Sequence, residues 1–396
     1  MVGAGASRQE APSWYRPGIE ACARFGSILD SFGRQFMCGD PLADELIAVL
    51  AELPQEEGRR LVERALDEGI ERVPGAPRAL VAFFRHIDEV PSWVDPERLE
   101  RGGRALLRTG YAGSLVLTTY ALPLSYLSPD GVKPLVASGR LVQRAARRLT
   151  ETGRFIVETC KPGGLARSGA GFQITVRVRL MHAQVRRQLL VGSWPVERWG
   201  VPINQAHMAG TNILFSALFI EGLRGIGYEM PEDDRADLIH LWRYIGLLSG
   251  VNPSLCAANE ADALRLRDLL TAITPPPDDD SRALVRALME SPLAMAETDK
   301  ERAVARRITD FMWGVSRHLV GEEYAEALRY PRTPWTLMMR PLRAWNALRG
   351  VLGRHTRHAG DPFYRIGLSS WERLIAHGIG GIPISFDFLG ASIGHR

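Results

Sequence analysis

Residues 133–160 read KPLVASGRLVQRAARRLTETGRFIVETC, and residues 175–190 read TVRVRLMHAQVRRQLL. Wound as a helix, the first stretch places Leu141, Ala145, Leu149, Phe155 and Ile156 along one stripe, which Arg148 and Thr152 interrupt at i, i+4 spacing. Two polar side chains are thereby predicted to face an interior. The second stretch puts Val178, Met181, Val185 and Leu189 on one face, with His182 near its centre. Period-two alternation is scarce elsewhere, so the expected fold is all-α, a single large helical domain.

Outward from these two segments, helix follows helix. Asp95-Pro96-Glu97 is a capped start with proline in the first turn, leading into a helix to Thr109. Ser128-Pro129-Asp130-Gly131 is predicted to be a turn. Gly163-Gly164 and Gly169-Ala170-Gly171 mark the loop before the histidine helix, and Asn204 is placed to cap an apolar stretch from Met208 to Leu223. Further helices are expected over 234–248, 258–273, 281–290 and 299–328, with Pro275 to Asp280 a short exposed linker. The core is expected over about 90–330 and no internal repeat is visible. Residues 331–396 are expected as a basic, aromatic-rich extension packing on it. Between Pro331 and Arg373, Trp335, Trp345, Phe363, Tyr364 and Trp371 alternate with arginines, a pattern that fits either terminal helices with solvated charges or a face that meets membrane.

The chain has 396 residues, 45% hydrophobic and 24% charged, which excludes disorder over most of its length. Its 49 basic residues nearly balance 45 acidic ones, so no nucleic-acid partner is expected. The cysteines Cys22, Cys38, Cys160 and Cys256 show no metal or disulfide spacing, which points to a reducing compartment. Residues 1–20 carry no apolar core or twin arginine, so a cytoplasmic location is expected. Two uncharged runs, Thr109 to Pro129 and Trp199 to Ile220, are broken by Pro123 and Pro202 and read as buried helices rather than membrane spans.

An apolar pocket with one imidazole suits haem. A neutral histidine can hold iron, its other ring nitrogen fixed by a hydrogen bond. An arginine is a permanently charged donor, and a threonine hydroxyl can position a polar group or pass a proton. Each residue also has a plainer reading: His182 as a core histidine, Arg148 as half of an internal ion pair with Glu151, Thr152 bonded back to its own helix. Arg186 and Arg187 could hold haem propionates or belong to a solvated helix face. Cys160 as a thiolate ligand lacks the glycine-rich approach such a loop needs, and His355, His358 and Asp361 sit among arginines that disfavour a cation. No zinc-protease, nucleophile-elbow, P-loop or dinucleotide motif occurs, nor a pair of Glu-x-x-His motifs.

Three segments carry a resemblance: Arg147 to Thr152, Arg179 to Arg186, and Pro202-Ile203-Asn204-Gln205-Ala206-His207-Met208-Ala209-Gly210-Thr211. Together they resemble the latex-clearing protein (rubber oxygenase) family, which includes the oxygenase that shortens a prenyl chain in mycophenolic acid biosynthesis. The resemblance implies a globin-like helical core around haem b, with His182 as proximal iron ligand and Arg148 and Thr152 on the distal side. It also implies O2-dependent cleavage of isoprenoid double bonds. The rubber-cleaving members carry a lysine beside the distal threonine, where this chain has Glu151. They also carry a glutamate base about four helical turns before the arginine, whereas no acidic residue lies between Asp130 and Glu151 here. Glu151 is the candidate to replace it as acid or base.

The expected function is therefore a haem b-dependent oxygenase using O2 on a lipophilic, isoprenoid or terpenoid alkene. Its expected site is Arg148, Thr152 and Glu151 as catalytic residues, His182 as metal ligand, and Arg186 and Arg187 as cofactor contacts. The missing export signal favours a small hydrophobic molecule over solid polymer. The alternatives are a non-catalytic haem-binding or gas-sensing protein, and a haem-free helical protein with His182 in its core.

Overall fold

In the computed structural model, residues 10–137, 141–353 and 361–379 are described; the side chains of 141–148, 351–353 and 377–379 lie outside the description. The described residues fold as one all-α domain, and no strand occurs among them. The helices that frame the site are α1 (Pro41–Leu50), α2 (Pro96–Arg108), α3 (Pro129–Ala137), α4 (Leu141–Cys160), α5 (Ala170–Val191) and α6 (Gln205–Leu214). They are followed by α7 (Glu232–Leu248), α8 (Glu260–Ile273), α9 (Asp299–Val320) and α10 (Pro362–Ile379).

The helix starts follow local chemistry. Asp95 accepts from the Glu97 and Arg98 amides at 2.9 and 3.3 Å, so the first turn of α2 loses no hydrogen bond. Asn204 does the same for α6, accepting from the His207 amide at 3.0 Å. Thr298 and Glu301 form a reciprocal capping box on α9. Ser128-Pro129-Asp130 is a helix start rather than a free turn, because proline is as well suited to the first helical position as to a turn.

Helix α2 lies at the centre of the packing, against α4, α7 and α10. The pair Gly102-Gly103 allows it. A β-carbon on Gly102 would fall 2.3 Å from the Asp237 carbonyl of α7, and one on Gly103 would fall 2.2 Å from the Cys160 carbonyl of α4. Three helices thus meet backbone to backbone. Arg98 and Arg101 of α2 both reach the mostly buried Asp237 at 2.7 Å, which fixes the rotation of α2 against α7.

The helix expected over 299–328 is divided at Gly321, whose φ of 86° ends α9 before a short helix, Glu322–Ala327. Of the stretch 133–160, residues up to Ala137 belong to α3 and those from Leu141 to α4, and residues 138–140 lie outside the described residues. In the C-terminal extension, α10 packs on α4 and α2, Trp371 is buried, and Asp361 pairs with Arg108 at 2.8 Å. Leu337, Trp345 and Leu348 are exposed, so the aromatic and apolar residues of this region divide between core and surface. Among the described residues no helix is long and apolar enough to cross a membrane.

Candidate active site

A cavity of about 1650 Å³ opens between α4, α5, α6 and α7. A typical small-ligand pocket holds about 300–1,000 Å³, so this one has room for a large group together with a second molecule. Its walls are mainly apolar, with Phe155 of α4, Met181 and Val185 of α5, and Trp242 of α7 among them. Trp242 stacks on Phe215 with ring centroids 4.8 Å apart, and Asn212 donates to the Trp242 carbonyl at 2.7 Å. That wall is rigid, which helps it keep a fixed shape around an occupant.

Into this apolar space the structure brings His182 from α5 and Thr152 and Glu151 from α4. The face of α5 predicted to be core is the cavity face: Val178, Met181, His182 and Val185 are only half-buried and line the space. The fully packed side of α5 is formed instead by Phe172, Val176, Leu180 and Ala183. The helix is apolar on two sides because it faces a core on one and a cavity on the other. The His182 Nδ1 atom is sealed from solvent. The opposite side of α4 is occupied by α10, where Ile375 lies against Gly153. That contact sets which face of α4 turns to the cavity. Arg148 lies in α4, but its side chain is outside the described residues.

The two arginines expected as cofactor contacts, Arg186 and Arg187, are not among the residues that line the cavity. Arg186 is buried. Its guanidinium is spent on the Asp44 carboxylate, on the Pro202 carbonyl at 3.1 Å and on the Ile203 carbonyl at 2.9 Å. Burial pushes the Asp44 carboxyl up from its ordinary value, against the pull of Arg186. Arg187 is exposed and fits the solvated-face reading.

Other residues of the recognised segments are structural. Arg179 grips Asp40 through two hydrogen bonds, 2.6 and 3.0 Å, with both side chains buried and Phe83 beneath the guanidinium. Gln205 donates to the Gly39 and Gly250 carbonyls at 2.8 and 2.9 Å and accepts from the Asn252 amide at 2.7 Å, tying three loops to the start of α6. Cys160 is buried, burial pushes its thiol up to about 12, and it is not among the residues that line the cavity. The four cysteines are free. His355 and His358 lie outside the described residues, and Asp361 is engaged with Arg108. Among the described residues no group of three or more His, Cys, Asp or Glu side chains is gathered as a metal site.

The sequence reading missed Asp130 as a partner of His207. The Asp130 carboxylate, fully buried, accepts from His207 Nε2 at 2.7 Å and from Ser128 Oγ at 2.5 Å, and His207 lines the cavity. Burial alone would raise this carboxyl, but His207 and Ser128 hold it below its ordinary value. The two residues are 77 positions apart, and the sequence placed Asp130 in a turn, with no local signal linking it to His207.

The described helices enclose one large, mainly apolar cavity, with a histidine and a threonine lining it from adjacent helices. Residues 102–354 match the family described as ER-bound oxygenase mpaB/B'/rubber oxygenase, catalytic domain, and the chain belongs to that family. The solved structure of latex clearing protein in the closed state is similar at a TM-score of 0.67, covering 86% of this chain and 91% of that one at 19% identity. At that identity the likeness is one of fold. No curated protein matches the chain by sequence.

Proposed function

We propose that the cavity would hold haem b with His182 as the residue that binds its iron, and that the protein uses O2 to oxidise a carbon–carbon double bond in a lipophilic, isoprenoid or terpenoid substrate. The observation that carries this reading is that His182, Thr152 and Glu151 open onto one apolar cavity too large for a small ligand alone. The donor set fits the group: the His182 imidazole, with its Nδ1 sealed from solvent, stands in a mainly apolar lining beside Met181, Val185, Phe155 and Trp242, while the other imidazole of the lining, His207, is bonded to Asp130. Membership of an oxygenase family supports the enzyme class. When bound, the haem would supply the redox chemistry that activates O2.

The remaining work falls to the chain's own residues. His182 would hold the metal from α5, a 22-residue helix anchored to the core by the opposite face that carries Phe172, Val176, Leu180 and Ala183. Thr152 donates or accepts through its hydroxyl at the α4 side of the cavity. Glu151, half-buried beside it, is placed to take or return a proton. Arg148 is assigned to the same face of α4 by its spacing of one helical turn from Thr152. The apolar wall binds the hydrocarbon body and excludes water from the reacting bond.

Oxygen uptake by the purified protein, measured with an isoprenoid alkene present and absent, tests the function. Alkene-dependent uptake with carbonyl products, lost in Thr152→Val and Glu151→Gln, is the expected result. Pigmented protein that consumes no O2 with any isoprenoid alkene would leave a haem-binding protein without turnover.

A further inference from the structure

The proposed chemistry does not use Asp130 and His207, yet both are placed with care. Asp130 stands in the first turn of α3, where the helix dipole favours a negative charge. Its carboxylate is closed off from water and saturated by Ser128 and His207. His207 is equally fixed. Its amide is held by Asn204, its ring meets Phe36 edge to face at 5.5 Å, and Nε2 is committed to Asp130. One ring nitrogen is left. Among the described residues Nδ1 has no hydrogen-bond partner, while the His207 side chain lines the cavity.

A charged carboxylate and an imidazole in a largely apolar wall cost more than apolar side chains of the same size would. The arrangement is also that by which a carboxylate orients a histidine to present its second nitrogen to a bound molecule. The pair comes from α3 and α6, whereas Thr152 and His182 come from α4 and α5. His207 thus meets the cavity from a different helix than Thr152 and His182, in a mainly apolar lining whose other charged members are Glu151, Glu221, Arg267, Asp268 and Glu323.

We propose that His207, oriented by Asp130, is a substrate-anchoring residue whose Nδ1 holds a terminal oxygen function, a hydroxyl or a carboxylate, on an otherwise hydrocarbon substrate. This deepens the oxygenase reading and rests on it for the identity of the occupant. A neutral imidazole donating Nε2–H to Asp130 offers the Nδ1 lone pair to an alcohol. A protonated one offers Nδ1–H to a carboxylate. Either bond ties one end of a flexible chain, which sets the register of its double bonds in the cavity. The substrate class is thus an oxygenated isoprenoid rather than a pure hydrocarbon.

The test is equilibrium binding of farnesol, farnesoic acid and the parent hydrocarbon farnesene to the purified full chain, followed by tryptophan fluorescence, since Trp242 lines the cavity. The alcohol or the acid is expected to bind about 10-fold more tightly than the hydrocarbon, the scale of one good buried hydrogen bond. Which of the two is preferred reports the protonation of His207. His207→Phe should erase the preference and leave farnesene affinity within about 2-fold. The double variant Asp130→Asn/His207→Phe removes the buried charge together with its partner, so loss of folding does not confound the result. Equal affinity for the three probes in the unmodified chain overturns the proposal, as does a preference that survives both variants. A colourless chain that still discriminates overturns the cofactor reading alone, whereas a pigmented chain that does not discriminate overturns the anchor alone.

Discussion

Single side chains in the recognised segments divide into those that face the cavity and those that hold its walls. His182 and Thr152 were legible in the sequence because each is a polar residue on an apolar stripe, and an enclosed polar group needs a purpose. The arginines were not. Arg179 and Arg186 lie on the same helix as His182, and only the fold reveals that Asp40, the cap of α1, and Asp44, in its first turn, pair with them. Removing one partner of the Arg179–Asp40 pair leaves an uncompensated buried charge. Asp40→Ala is therefore expected to lower unfolding free energy by about 3–5 kcal/mol in urea titration. Thr152 should behave differently, because it serves the cavity rather than the wall. Thr152→Val is expected to retain folding and pigment while losing most alkene-dependent oxygen uptake, and Thr152→Ser to restore a substantial part of it. Equal stability loss in the two Thr152 variants, with uptake tracking it, would contradict that assignment.

Helices were the most legible elements, since capping residues and period 3.6 carry both ends and faces. Asp95, Asn204 and Thr298 cap the helices they precede, and the breaks near Gly163 and Gly169 fall where the glycines stand. Where the sequence misled, local signals served two structures equally. Ser128-Pro129-Asp130 reads as a turn or a helix start, and Gly321 within an amphipathic stretch reads as tolerated or terminal. Close approaches between helices leave a weaker trace. Gly102-Gly103 sits in an otherwise ordinary helix, and nothing local indicates that two other backbones press on it. Gly103→Ala should cost about 1–3 kcal/mol by forcing α2 from α4. Gly58→Ala, where the nearest atom would be 3.5 Å away, should be neutral or stabilising by up to about 1 kcal/mol. Thermal melts of the two variants read the contrast directly.

At the scale of the whole molecule, the cavity is a property of several helices at once, which is why no single segment announced its size or the pairing of Asp130 with His207. Its charged groups set the pH response. Hydrogen bonds and charges from His207, Ser128, Lys133, Arg267 and Arg24 hold Asp130, Asp268 and Asp278 below their ordinary values, despite burial that acts the other way. Each contributes stability that is complete above the unfolded carboxylate value and is lost as pH falls from about 4 through the folded one. Burial, with nearby arginines, lowers His86, His240 and His318 as well. Protonation in the unfolded chain therefore begins to erode stability as pH falls below about 6.5. The melting temperature is expected to decline in two stages on acidification, and Asp130→Asn/His207→Phe should flatten the lower one. The central claim is that His182 holds an iron porphyrin in this cavity. It is tested most directly by the absorption spectrum of the purified protein, oxidised and then reduced with carbon monoxide, beside His182→Ala. The account predicts a strong Soret band that shifts with carbon monoxide and is lost or displaced in the variant. A protein that stays colourless after haem is added, or a band unchanged by His182→Ala, would contradict it.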